Sequence, residues 1–147
     1  SLFFEGNTKL GMIPSLLIHQ DAAQDLRDLM VSDRAAAGMV LALLEQAKHD
    51  STVIDSLLDH DFGAGRTEDY HISRWWDLWR SGYNIWRLKI WTVPKGSLKQ
   101  RIVYAYDPTQ LQYHVLAVVH RDFDYKRDHA VTNRILQAYG DLGIARY

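Results

Sequence analysis

Apolar and polar positions alternate with period two over residues 85–91, placing Trp86, Leu88 and Ile90 on one side and Arg87, Lys89 and Trp91 on the other. Two further runs rich in β-branched and aromatic residues follow at 100–107 and 112–120. Turn chemistry separates the three, at Pro94, Gly96 and Ser97 and again at Asp107 and Pro108. This pattern predicts a three-stranded antiparallel meander with one face that wants a core and one that holds cations.

Upstream the period changes. Residues 15–19 (SLLIH) are short and apolar enough for a strand. Asp21, with Gln24 three positions on, has the arrangement of a capping box, and Ala22, Leu26 and Leu29 recur at helical spacing over a predicted helix at 22–31. Ser32 or Asp33 offers a second cap, before a stripe of Ala36, Met39, Val40, Leu43, Leu44 and Ala47 that runs to about His49. So short a join predicts an antiparallel helical hairpin. Ser51 opens a shorter helical piece whose Ile54, Leu57 and Leu58 would cover the end of the core. Residues 59–70 carry glycine and polar side chains and read as an exposed loop.

Trp75, Trp76 and Trp79 crowd the approach to the meander. They suit either a platform for stacking bases or a plug between helices and sheet, and the four-residue spacing of Trp75 and Trp79, which puts both on one side of a helical turn, favours the plug. Asp128 is placed to cap a last helix bearing Val131, Ile135, Leu136, Tyr139 and Leu142, stopped by Gly140 or Gly143. Residues 1–11 show no period and read as a flexible leader, leaving 12–147 as a single domain. The order of elements implies an α+β fold in which an antiparallel sheet carries its helices on one face. Trp86, Leu88, Ile90, Ile102, Tyr104, Leu116 and Val118 are then expected under the helical hairpin, with the opposite sheet face open.

Composition narrows the class. The 147 residues are 47 % hydrophobic and 24 % charged, which argues against disorder. No apolar run approaches the ~18 residues of a membrane span and no signal segment is evident, so the expected address is the cytoplasm. The absence of cysteine removes disulfides and thiolate metal sites. The net charge of -1 hides a split: residues 1–70 hold 5 Lys+Arg against 12 Asp+Glu, whereas residues 71–147 hold 12 against 6. The meander half is the basic half, and an anionic partner, nucleic acid first, is the partner it suits.

The chain has no glycine-rich phosphate loop, no H-E-x-x-H and no G-x-S-x-G, and its seven histidines lie on unlike elements without a ligand spacing. No metal or other cofactor is expected. Five residues do form a coherent set. On an antiparallel meander Arg87 and Lys89 neighbour Arg101 at the start of the next strand, with Arg121 and Tyr125 arriving from the end of the third. Such a set suits RNA cleavage by attack of a ribose 2'-OH on the adjacent phosphorus, which needs a base, cations for the phosphorane and a proton for the leaving 5'-oxygen. A lysine among arginines has its charged form disfavoured and can serve as base, assisted by Tyr125, His120 or an arginine. Trp91, Lys95, Lys99, His120, Lys126 and Arg127 flank the set and are the expected RNA contacts.

Three segments, W-R-L-K-I from Trp86, Q-R-I-V-Y-A-Y from Gln100 and V-L-A-V-V-H-R-D-F-D-Y from Val115, together resemble the RelE/ParE superfamily of toxins from bacterial toxin-antitoxin systems. The likeness runs from Ser15 through the terminal helix and is strongest between Trp86 and Tyr125. It implies a RelE-like domain, an N-terminal strand and helical hairpin packed on a curved antiparallel sheet with a C-terminal helix. It also implies metal-independent cleavage of mRNA on the ribosome, and a cognate antitoxin as partner. Arg87 and Lys89 match the paired basic positions of the family's second strand and Arg101 the arginine that opens the third. Arg121 and Tyr125 match the arginine and tyrosine after the last strand. A ParE-like inhibitor of DNA gyrase, or a catalytically silent antitoxin-binding relative, are the alternatives the same resemblance leaves open.

Overall fold

The computed structural model describes residues 13–123 and 129–147. In chain order the elements are β1 (Ser15–Ile18), α1 (Gln20–Ser32), α2 (Arg34–His49), α3 (Ser51–Ser56), β2 (Tyr70–Arg74), α4 (Trp76–Arg80), β3 (Ile85–Trp91), β4 (Ser97–Asp107), β5 (Gln112–His120) and α5 (Ala130–Asp141). They make a single α+β domain around a five-stranded sheet of order β1-β5-β4-β3-β2. The leader reading for residues 1–11 and the Asp128 cap lie outside the described residues.

The meander forms where alternation placed it, β3 pairing antiparallel with β4 and β4 with β5. Trp86, Leu88, Ile90, Ile102, Tyr104 and Val118 join Leu26, Val40 and Leu44 of the hairpin in one core. Asp33 caps α2 by accepting the Ala36 N–H at 3.1 Å. At α1 the expected cap is corrected: the helix starts two residues earlier than the Asp21 pattern implies, and it is His19 Nδ1 that accepts the Asp21 N–H, at 3.1 Å. Ile54 and Leu57 are buried as expected, but Leu58 is exposed.

Four other expectations change. First, the sheet is mixed, because β1 runs parallel to β5 over Gln112–Val115. Where β1 stops, β5 becomes an edge, and the Val118 N–H donates to Asp25 of α1 at 2.9 Å instead of to a strand. Second, the helices are not confined to one face. α5 covers part of the other, packing Ile135, Ala138 and Tyr139 on Ile85, Val103, Ala105 and Val119. Arg134 of α5 is held by a double hydrogen bond to the Asp25 carboxylate, at 3.0 and 2.8 Å. Third, Leu116 packs under α5, not under the hairpin. Val103 faces Ala117 and Tyr104 faces Val115, so a bulge at Leu116 resets the alternation of β5.

Fourth, the exposed loop expected at 59–70 forms over 59–69 but leads into an unexpected strand, β2, which pairs with β3 from Tyr70 opposite Ile90 to Arg74 opposite Trp86. The turn is fastened at both ends. Asp61 N–H donates to Ile72 O and Ile72 N–H to Phe62 O, while Arg66 donates to Gly96 O at 2.7 Å and Thr92 O at 2.5 Å across the β3–β4 hairpin. Gly63, at φ +76, sits so close to Tyr70 that a Cβ there would lie 1.9 Å from its carbonyl oxygen. The tryptophans divide: Trp75 precedes α4 and is buried in the α5 cluster, Trp79 packs edge-on to Trp86 at 5.2 Å on the hairpin side, and Trp76 is exposed. Trp75 lies outside the helical turn, so the i, i+4 rule does not bring it beside Trp79. At the far end His129 Nδ1 accepts the Val131 N–H, capping α5. Gly140 lies inside the helix and Gly143, at φ +73, follows its end.

Candidate functional site

The half of the second sheet face not roofed by α5 forms a cleft of about 450 Å³ lined by His60, Asp61, His71, Ser73, Trp76, Arg87, Lys89, Arg101 and Arg121. Period two puts Arg87 and Lys89 on this face because Trp86, Leu88 and Ile90 are drawn into the hairpin core. The register then lines them up. Lys89 stands opposite Arg101 on one side and His71 on the other, and Arg87 opposite Ser73. Arg121 reaches the same cleft from the turn that follows β5.

Like charges on neighbouring strands repel, and here they are held in place by the scaffold. Arg101 donates from Nη1 to Leu98 O at 2.7 Å and to Gln100 O at 3.1 Å, which fixes its guanidinium at the β4 rim. Lys89 Nζ lies 4.5 Å from the centre of the Trp91 ring. Burial, then the charges of Arg101 and Arg87, push the Lys89 ammonium below its ordinary pKa. The energetic remedy for such a cluster is an anion, and the cleft is large enough to admit a phosphate with its adjoining sugar.

The acidic and imidazole groups of the cleft come from the turn before β2 and from β2 itself. The Asp61 carboxylate lies between two histidines, its Oδ1 3.2 Å from His71 Nε2 and its Oδ2 3.5 Å from His60 Nε2. His60 Nδ1 accepts the Arg74 N–H at 3.0 Å, so the His60 proton sits on Nε2, toward Asp61. His71 is stacked on Trp91, with planes 2° apart and centroids 5.8 Å apart. Among the described residues no group of three or more His, Asp or Glu side chains is arranged to hold a metal ion.

Of the five residues expected to act, Arg87, Lys89, Arg101 and Arg121 meet in the cleft, and Tyr125 lies outside the described residues. Lys126 and Arg127 also lie outside them. Lys95 and Lys99 are exposed near the β3–β4 hairpin and do not line the cleft. Trp91 is a wall behind the site, its indole N–H donating to Gly63 O at 2.8 Å. His120 is placed elsewhere: the residue faces Gln100, one position out of step with the Arg101 row, and lines a groove with Asp25 and Val118. Its expected part in proton transfer is corrected on that ground. His60, Asp61, His71 and Ser73 are the site residues that sequence reasoning missed, and the alternation of Tyr70 and Ile72 with His71 and Ser73 was the one signal for the latter two, whereas Trp76, one of the three tryptophans that suit either a stacking platform or a plug, is exposed beside the cleft.

No protein-family model, curated protein or solved structure matches the chain. No helix among the described residues is long and apolar enough to cross a membrane.

Proposed function

We propose that the cleft binds an RNA phosphodiester and cleaves it by attack of the neighbouring 2'-OH. The protein is then the toxin of a toxin-antitoxin pair with a RelE-like domain, acting on mRNA at the ribosome without a metal. The observation that carries this reading is the convergence of Arg87, Lys89, Arg101 and Arg121 on one cleft whose central lysine is disfavoured as a free cation. Cations so placed before the substrate arrives stabilise the extra charge of a phosphorane without reorganising. Trp76, exposed at the lip with its ring edge-on to His60 at 5.0 Å, carries the Arg74 and Arg80 guanidinium groups over its ring at 5.3 Å, which adds cations at that edge of the cleft.

The partners of this reading are mRNA on the ribosome and a cognate antitoxin. An apolar groove of about 390 Å³ between β1 and the hairpin, lined by Ile18, Leu26, Met30 and Leu41, suits the apolar anchors of a segment that orders as it binds. Acidic residues of the same segment would mask the cleft. Induction in a bacterial host followed by mapping of transcript 5' ends tests the function: cuts within translated codons are the expected result. Double-strand DNA breaks with intact transcripts would instead identify a gyrase inhibitor, and unimpaired growth with neither would leave a silent antitoxin-binding protein.

A further inference from the structure

We propose that His71, aligned by the Asp61 carboxylate, is the general base of the cleft and takes the proton from the attacking ribose 2'-OH. The assignment rests on the reading of the cleft as an RNA-cleaving site and names a catalytic residue that reading lacks. A base must sit beside the phosphate position, keep one nitrogen free and be held in one tautomer. His71 meets all three conditions. It stands directly across from Lys89 in the strand register, and Lys89 stands across from Arg101, so imidazole, ammonium and guanidinium form one row over three strands. With Nε2–H directed at Asp61 Oδ1, 3.2 Å away, Nδ1 is left to exchange protons, and it makes no hydrogen bond to a described residue. Stacking on Trp91 fixes the ring plane, and the side chain stays 19 % exposed, open to a ligand in the cleft.

The step balances within the cleft. His71 Nδ1 takes the 2'-OH proton as O2' bonds to phosphorus, the P–O5' bond breaks, and the leaving O5' takes a proton from the Lys89 ammonium opposite. The products are a 2',3'-cyclic phosphate and a 5'-OH end, and solvent then returns a proton to Lys89 and removes one from His71. Arg87, Arg101 and Arg121 hold the phosphoryl oxygens throughout. Asp61 acts through His71 and is a positioning residue. Its φ of +69 lies in the left-handed region that Asp and Asn tolerate better than other side chains, so Asp61→Asn can keep the turn while removing the carboxylate.

The test is the pH–rate profile of RNA cleavage by the full chain on programmed ribosomes, for the parent, His71→Asn and Asp61→Asn, with RNA binding measured alongside. The charged and titratable groups facing His71 are Asp61 and His60 from the turn, Arg87 and Lys89 from β3, Arg101 from β4 and Arg121 after β5. The parent rate should rise with pH through an inflection that His71→Asn lacks. His71→Asn should lose at least about 100-fold in rate with RNA affinity within about twofold, and a His71→Gly variant should regain activity with added imidazole. Asp61→Asn should lose about tenfold or more and shift the inflection, which a merely structural role would not do. If the parent cleaves and His71→Asn keeps both rate and inflection, His71 is not the base, while the cleft reading stands. If the parent cuts no RNA, the cleft reading fails and this assignment with it.

Discussion

One sheet face meets two fates. Toward β5 it presents Val103, Ala105, Leu116, Ala117 and Val119, and α5 closes over them. Toward β2 the same face presents Arg87, Lys89 and Arg101, and it stays open. The backbone is alike in both halves, so side-chain chemistry decides which is roofed. Sealing the apolar half removes hydrocarbon from water at about 25 cal/mol per Å², whereas sealing the cationic half would strand like charges at a desolvation cost no helix contact could offset. The open half is a place where stability is given up, and such places are where binding and chemistry concentrate.

The largest effect that sharpens this contrast is expected in the sealed half. Ile135 is fully buried between α5 and the sheet, and Ile135→Ala should cost roughly 2–5 kcal/mol in chemical denaturation. Leu88→Ala, beneath the hairpin, should cost a similar amount. If hydrogen exchange instead showed the Leu88 face open and the Arg87 face protected, the register described here would be wrong.

A smaller loss is expected at the rim of the open half. Gly63→Ala places a methyl against the Tyr70 carbonyl at a positive φ, so the turn that delivers Asp61 and anchors Trp91 must shift. The conformational part alone should cost about 1–3 kcal/mol, and cleavage should fall further than global stability does. A variant with full activity would show that the turn is not what holds the site.

The smallest change is a gain. Because the folded state holds the Lys89 proton less tightly than the unfolded chain does, the charge is a penalty at neutral pH that fades as pH rises through the depressed value toward the ordinary lysine value of 10.5. Lys89→Met should therefore raise the thermal midpoint slightly at pH 7, and the advantage should disappear near that pH. Equal midpoints at every pH would mean that the cluster carries no strain.

Much of this contrast was written into the chain in forms of unequal legibility. The alternation of Trp86, Leu88 and Ile90 with Arg87 and Lys89 is a strict period-two signal, and it placed the cationic row correctly. The roof was not legible, because residues 113–119 are nearly all apolar and hide both the bulge at Leu116 and which side α5 would cover. Strand β2 was missed for the opposite reason. In its five residues the cleft-facing His71 and Ser73 are polar because they line the open face, which leaves only Tyr70 and Ile72 to carry the apolar content that marks a strand. Asp61 and His60 join them only through tertiary pairing, which no local spacing announces.

The central claim, that the open half is a site for cutting RNA, is tested most directly by cleavage of mRNA on programmed ribosomes with the parent, Lys89→Ala and Lys99→Ala. Lys89 projects from the open half and Lys99 is an exposed charge near the hairpin, so both variants should unfold within about 0.5 kcal/mol of the parent. Lys89→Ala is expected to lose cleavage by at least about 100-fold. Lys99→Ala should keep the chemistry and show only weaker RNA attraction with a shallower salt dependence. A folded Lys89→Ala protein that cleaves like the parent would contradict the account.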